Sequence, residues 1–309
     1  MLAKLKKMFY SYSIDNIEKV RNMRGTPLRY PGGKGRLTPF IREVLNCNGI
    51  LSNAIYVEPF AGGAGVAVNL LLAKDIKEVY INDKDRSIYA FWYALIHCNK
   101  KFIQKIVDTE VTMDEWYKQK KIQDNKENES LFDLGFSTFF LNRTNRSGIL
   151  KAGVIGGKKQ NGQYKLDVRF NKKDLIERIK NIYKSKDKIH LYNLDAKEFL
   201  CDIVKKLDAC KTFVYIDPPY YEKGQTLYMN YFNHQDHEDL LKVIKELKCH
   251  WIVSYDHIDE IMKMYTGFNE IKYPLRYTAG LKYHGSEIMY IAHQTKYPNI
   301  ASPIVTKNS

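Results

Sequence analysis

The sequence predicts an α/β chain: one seven-stranded, doubly wound, Rossmann-like sheet interrupted by a largely helical insert. Three observations predict it. Short β-favouring runs alternate with runs whose apolar residues recur at three and four spacing. Acidic residues stand at the carboxyl ends of four of the β runs, where ligands bind in open α/β sheets. Between the second and third runs lies a stretch too long for a loop, which marks a separate subdomain.

Taken in order, residues 1–24 read as a basic arm with Lys4, Lys6 and Lys7 on a solvated face, lacking the unbroken apolar core of a signal peptide. A helical pattern over 36–46 leads to a strand at 54–58, a helix at 65–74, a strand at 78–82 and a helix at 86–98. The insert, 100–187, is helical over 101–121 and 131–142 with a polar break at 124–129. Then its character changes. Arg143 to Lys173 holds nine Lys or Arg, one acid and five glycines, with Asn142, Asn145, Gln160, Asn161 and Gln163 mixed in. Basic charge on glycine-rich turns suits a surface that follows phosphates and places a few side chains in a groove. Arg143 and Arg146 read as guanine or phosphate contacts, and Lys158, Lys159 and Arg169 complete the basic set. A solvated basic loop without a partner is the plain alternative. Strands follow at 188–192, 212–217 and 250–255, separated by helices at 195–207 and 236–247 that Asp195 and Asp236 would cap. After a helix at 256–265, runs 270–277 and 286–292 are joined without a helix, which predicts an antiparallel pair.

Chemistry concentrates at the strand ends. Thr212 to Ile216 runs into Asp217-Pro218-Pro219-Tyr220, a carboxylate, two stiff prolines and an aromatic ring. Prolines fix φ and donate no hydrogen bond, so they shape the loop and leave the Pro218 carbonyl free to accept. That combination suits methylation of an exocyclic amino nitrogen on a planar base. Such a nitrogen needs acceptors for its hydrogens, here Asp217 and the Pro218 carbonyl, and a flat plate for the ring, here Tyr220. A strand that merely ends in a turn is the plain reading of the same tetrapeptide. Upstream, Val57-Glu58-Pro59-Phe60-Ala61-Gly62-Gly63-Ala64-Gly65 reads as strand, glycine turn and helix. Asp83, at the end of the second strand, is the carboxylate expected about 20 residues on for ribose hydroxyls. Neither Gly-x-Gly-x-x-Gly nor a phosphate-binding Gly-x-x-x-x-Gly-Lys-Ser/Thr loop occurs, which favours a nucleoside cofactor without phosphates. S-adenosylmethionine is the obvious one.

With these motifs in this order, most of the chain resembles the Dam-type, class α, adenine-N6 DNA methyltransferases. Leu28-Arg29-Tyr30-Pro31-Gly32-Gly33-Lys34 is similar to that family's amino-terminal cofactor motif, and Asn193-Leu194-Asp195-Ala196 to its third-strand end. The resemblance implies an S-adenosylmethionine-dependent sheet, residues 25–99 and 188–300, with 100–187 as target-recognition insert and 301–309 as tail. It also implies that Tyr30 packs on the cofactor, Lys34 meets its methionine end, Asp83 holds the ribose and Asp195 or its flanking backbone meets the adenine. Glu58, Phe60, Gly62 and Asp217 complete that set, and S-adenosylhomocysteine is the product. Duplex DNA is the expected partner, possession of a cognate restriction endonuclease is open, and the enzyme is expected to act as a cytoplasmic monomer.

Composition agrees. A net charge of +14 favours an anionic partner such as nucleic acid. Cys47, Cys98, Cys201, Cys210 and Cys249 are scattered without a C-x-x-C pair and read as reduced thiols, and no run approaches the roughly eighteen apolar residues of a membrane span. His234 and His237 flank Asp236 but lack a third ligand at suitable spacing, so no metal is expected. Phe232 either lines the base pocket or simply packs. Three further readings stay open: methylation of cytosine N4, for which serine is more usual than Asp217; methylation of RNA adenine or protein glutamine; or a non-catalytic DNA-binding protein on this fold.

Overall fold

The computed structural model describes residues 25–29, 33–221, 232–276, 284–299 and 303, so the amino-terminal arm, Tyr30 and residues 222–231 lie outside the described residues. Seven strands form one sheet: β1 (Ile55–Glu58), β2 (Glu78–Asn82), β3 (Ile189–Tyr192), β4 (Thr212–Ile216), β5 (His250–Asp256), β6 (Asn269–Arg276) and β7 (His284–Ile291). Their order is β3-β2-β1-β4-β5-β7-β6. The first five are parallel, with Ile55 paired to Glu78 on one side and Thr212 on the other, and β7 runs antiparallel between β5 and β6. Strand order reverses between β1 and β4, so the crevice for a ligand lies beyond the carboxyl ends of those strands.

Both faces of the sheet are covered, which is why its central strands are apolar throughout. Alternate residues serve alternate sides. Tyr56, Val79, Ile81, Phe213, Tyr215 and Ile252 face one apolar cluster, while Val57, Val214, Ile216, Trp251 and Val253 face the other. The first cluster is packed by α1 (Thr38–Cys47), α2 (Gly65–Ala73) and α3 (Arg86–His97), the second by α8 (Ala196–Asp202), α9 (His234–Lys245) and α10 (Asp259–Met264).

In the chain between β2 and β3 lie α4 (Asn99–Asp108), α5 (Met113–Asp124), α6 (Leu131–Thr144) and α7 (Lys172–Tyr183). The run expected as one helix over 101–121 is two, because the Thr112 side chain accepts from Glu115 N and restarts the helix after a break. Helix α7 follows from Leu175, Ile179 and Ile182 at four and three spacing, and Asn171 caps it. These helices share the first apolar cluster with the sheet instead of closing a core of their own: Phe136, Phe139 and Phe140 of α6 join Phe91, Trp92 and Phe102. Two end signals differ from expectation. Asp195 caps α8, but α8 stops at Asp202, where a short 3-10 turn over Val204–Lys206 takes over. The cap of α9 is Asn233, and Asp236, three residues in, returns the reciprocal bond of a capping box.

Candidate active site

The glycine turn after β1 is built around buried polar groups. Gly62 takes φ +47, a left-handed value that glycine adopts without strain, and its N–H donates to Asp83 Oδ2 at 2.8 Å. Asp85 N donates to Asp83 Oδ1 at 2.9 Å. Burial, with the charge of Asp85, pushes the Asp83 carboxyl up to about 7, while the two N–H bonds oppose the shift. Asn82, fully buried at the end of β2, stitches the neighbouring loops: its side chain donates to the carbonyls of Pro59 and Leu194 at 3.0 and 3.1 Å and accepts from Leu194 N at 2.9 Å. Sequence reading passed over Asn82. A polar residue ending a β run is the signal that could have found it.

Glu58 turns beneath the turn instead of into the crevice. It accepts from Ala67 N in α2 and from the Tyr56 hydroxyl, both at 3.1 Å, and burial raises its pKa to about 8. Its bonds hold the turn. Phe60 is half-buried and meets the Phe232 ring edge-on at 5.8 Å. Asp195 is half-buried; burial works to raise its pKa, but the Lys84 ammonium at 3.0 Å and Lys197 N hold it below the usual carboxylate range.

At the end of β4, Asp217 stands in a polar network drawn from four parts of the chain. Lys34 Nζ lies 3.1 Å from its Oδ1, and the buried Ser254 hydroxyl of β5 donates to the same oxygen at 2.8 Å. Tyr215 bonds Ser254 in turn at 2.9 Å. Burial raises the Asp217 pKa; Lys34 and Ser254 oppose that shift, and the charge of Glu287 adds to it. Fully buried on β7, Glu287 accepts from Lys34 at 3.3 Å, from the Tyr273 hydroxyl at 2.6 Å, and from the Tyr220 hydroxyl, which itself accepts from Lys34. The Lys34 ammonium also sits 4.9 Å from the centre of the Tyr220 ring, which is only 4% exposed. Asp256, at the end of β5, anchors the loop by accepting from Tyr221 N at 3.2 Å. Among the described residues no backbone N–H donates to the Pro218 carbonyl. Ser254, Asp256 and Glu287 were not singled out in the sequence, although Ser254 and Glu287 are polar residues inside apolar β runs and Asp256 closes one.

Aromatic rings close one side of the loop. His237 packs against Tyr221, Phe232 and Tyr255, at ring centroid distances between 5.2 and 5.4 Å, and bonds the Tyr255 hydroxyl at 3.0 Å. Burial lowers its pKa to about 4, so it is neutral. His234 bonds Tyr221 at 2.9 Å. Both histidines are thus parts of the loop's packing.

The basic residues of the insert separate by burial. Arg146, Lys158, Lys159 and Arg169 are exposed, whereas Arg143 is 7% exposed. Asn142 and Asn145 are buried and engaged within the fold: Asn142 accepts from Arg29 N at 2.7 Å and donates to the carbonyls of Arg29 and Gly148, while Asn145 donates to those of Ile149 and Leu150 and accepts from the Trp116 indole at 2.7 Å. Gln160 likewise folds its own loop, donating to Ile155 O at 2.8 Å and accepting from Leu166 N at 2.9 Å. All five cysteines are free thiols. No helix among the described residues is long and apolar enough to cross a membrane.

A carboxylate facing a lysine at the end of β4, beside a glycine turn held by a second carboxylate, is the arrangement expected of amino-methyl transfer. Comparison with known proteins agrees. The chain is 27% identical over 267 residues to the Type II methyltransferase M.MjaIII of Methanocaldococcus jannaschii, covering 78% of this chain and 88% of that protein. Residues 30–278 match the family described as D12 class N6 adenine-specific DNA methyltransferase, and the chain belongs to that family of S-adenosylmethionine-dependent enzymes.

Proposed function

We propose that this adenine-N6 DNA methyltransferase acts at a specific sequence of duplex DNA on an adenine flipped out of the helix, with Asp217 as its catalytic residue. A base stacked in duplex is out of reach, and extruding it costs about a few kcal/mol. Asp217 and the Pro218 carbonyl accept the two amino hydrogens, which turns the nitrogen lone pair out of conjugation and spreads the positive charge that grows on nitrogen. The observation that carries this reading is the double hold on Asp217. Lys34 and Ser254 both engage Oδ1, so Oδ2 is the oxygen offered to the base. Tyr220 is the candidate stacking ring, worth about 1–3 kcal/mol per base. Because it is buried, neighbouring side chains must part for a base to reach it.

The residues present fit S-adenosylmethionine, which supplies an electrophilic methyl group when bound. Asp83 accepts from two backbone N–H groups, of Gly62 in the turn and of Asp85 beyond β2, and is half-buried with part of its surface open, so it can also accept from ribose hydroxyls. Lys34 and Tyr30 belong to the motif expected at the methionine end. Phe60 and Gly62 would line the nucleoside, Asp195 or its flanking backbone would meet the adenine, and Glu58 would act only through the turn that it holds. No cysteine nucleophile and no metal takes part. Alignment of the reacting groups then supplies much of the acceleration.

The insert, 100–187, is the recognition part in this reading, with exposed Arg146, Lys158, Lys159 and Arg169 toward DNA. The relative's description as a Type II methyltransferase suits a partnership with a restriction endonuclease of the same specificity. Expression in a methylase-free host followed by methylation-sensitive sequencing tests the reading. Methylated adenine in one short sequence is expected. Label from tritiated cofactor entering only RNA, protein or cytosine would overturn it.

A further inference from the structure

Four arginines from separate parts of the chain converge where the insert meets residues 25–29. Asn142 holds Arg29 through its backbone, and Arg29 Nη1 reaches Asn145 O at 3.4 Å, beside Arg143 at the end of α6. Arg178 of α7 donates to Thr26 O at 3.2 Å. Its other nitrogens, at 2.8 to 3.2 Å, take up Asp174. Arg143 is 93% buried by its 7% exposure, and its Nε is sealed from solvent with no hydrogen-bond partner. Burial, then the charges of Arg178, Arg29 and Arg169, push its pKa down to about 9, with Asp174 as the opposing charge. Asp174 is itself engaged by Arg178, so the buried Arg143 guanidinium has no acid bonded to it among the described residues, a costly state unless an anion completes it.

We propose that Arg143, rimmed by Arg29, Arg169 and Arg178, binds a single phosphate group, and that this group is a backbone phosphate of the DNA. The two non-bridging oxygens of a backbone phosphate share a full negative charge and accept from several directions, so they can serve more than one guanidinium at once, whereas the edge of a guanine offers two coplanar, neutral acceptors to one. The site therefore positions the duplex and does not read its sequence. It rests on the reading of the insert as the DNA-facing part. Through Arg29, five residues before Lys34, it also shares a residue with the segment similar to the cofactor motif.

Duplexes carrying one neutral methylphosphonate at successive backbone positions test the assignment. Wild type should lose affinity at one position per site, and Arg143→Gln should be insensitive there. That variant should lower the magnitude of the log–log salt slope by about 0.9, the loss of one phosphate contact. Arg143→Gln with Arg169→Gln should lower it no further, and a fall of about 1.8 would mean separate contacts and overturn the single site. Because Arg143 is buried, Arg143→Lys and the exposed Arg169→Gln are run alongside, with thermal melting as the folding check. Full methylphosphonate sensitivity and an unchanged slope in all folded variants would overturn the proposal. Inorganic phosphate at constant ionic strength provides the other arm. If it raises the wild-type melting temperature but not that of the variants, while no methylphosphonate position matters, the site holds a free phosphate and not DNA. If wild type binds no duplex at all, the reading of the insert fails, and the melting arm still decides whether the cluster holds phosphate.

Discussion

Asp217 illustrates how a single carboxylate is tuned by neighbours that pull in opposite directions. Replacing it with alanine should abolish transfer while cofactor and DNA affinities, measured by calorimetry and anisotropy, stay within about tenfold, or about 1.4 kcal/mol. Its pKa predicts a second result with a definite sign. Protonation would make Asp217 a weaker acceptor and remove the charge that offsets the positive charge growing on nitrogen, so the rate should fall as pH drops through its raised pKa. Glu287 adds to that shift and Ser254 opposes it. Glu287→Gln removes a neighbouring negative charge and should move the acid limb of the pH–rate profile to lower pH. Ser254→Ala removes a donor to the charged form and should move the limb to higher pH. Limbs that coincide with wild type in both variants would remove these residues from the tuning of Asp217.

At the scale of elements, the meeting of α3 and α6 decides where the insert sits. A Cβ built on Gly135 would lie 2.2 Å from the carbonyl oxygen of Ala90 and 2.9 Å from the Ala94 side chain, so α6 crosses α3 at backbone contact. In an open helix Gly→Ala stabilises by about 0.5–1 kcal/mol. Here Gly135→Ala should instead destabilise by about 1–3 kcal/mol in urea unfolding, because α6 must shift outward. That shift would carry Asn142 with it, and with it the hold on Arg29. The exposed loop that follows α6 should respond differently. Alanine at Arg146, Lys158 or Lys159 should leave stability unchanged and sort by function. A phosphate contact lowers the salt slope by about 0.9, and a base reader relaxes preference at one base pair at a cost of about 1–3 kcal/mol. Wild-type affinity, slope and site choice in all three would move recognition elsewhere.

For the whole molecule, the buried acids make stability depend on pH in the opposite sense from a salt-bridged protein. Glu58 titrates near 4.5 when unfolded and at about 8 in the fold. Between those values the folded state binds the extra proton, so this residue's contribution declines as pH rises through the window and the penalty is complete above about 8. Glu58→Gln keeps an acceptor for Ala67 N and removes the ionisation. Its stability should therefore gain on wild type steadily from pH 5 to 8, by about 1.4 kcal/mol per pH unit at most, read as a widening gap in melting temperature. A constant offset would mean that Glu58 ionises in the fold as it does in the open chain.

Much of this was legible in the residues alone. Strand runs at 54–58, 78–82 and 212–217, the glycine turn and Asp217-Pro218-Pro219-Tyr220 are local patterns, and each follows from alternation, turn chemistry or proline stiffness. Their order along the chain was enough to predict the sheet and to put Asp83 and Asp217 at strand ends. The sequence could not show which polar groups meet across it. Glu287 lies 253 residues from Lys34, and Asn82 lies 112 residues from Leu194, so neither contact has a local signature. Nor could composition separate the insert's basic residues, because Arg143 and Arg146 stand three apart in one run. Only the packing of α6 buries the first among other arginines and leaves the second in solvent. Periodicity and turn chemistry act between near neighbours, whereas burial and charge pairing are set by whatever the fold brings alongside. The sequence by itself therefore determined the seven-stranded sheet and the motif Asp217-Pro218-Pro219-Tyr220, and tertiary structure decided the strand order and the electrostatics around that motif.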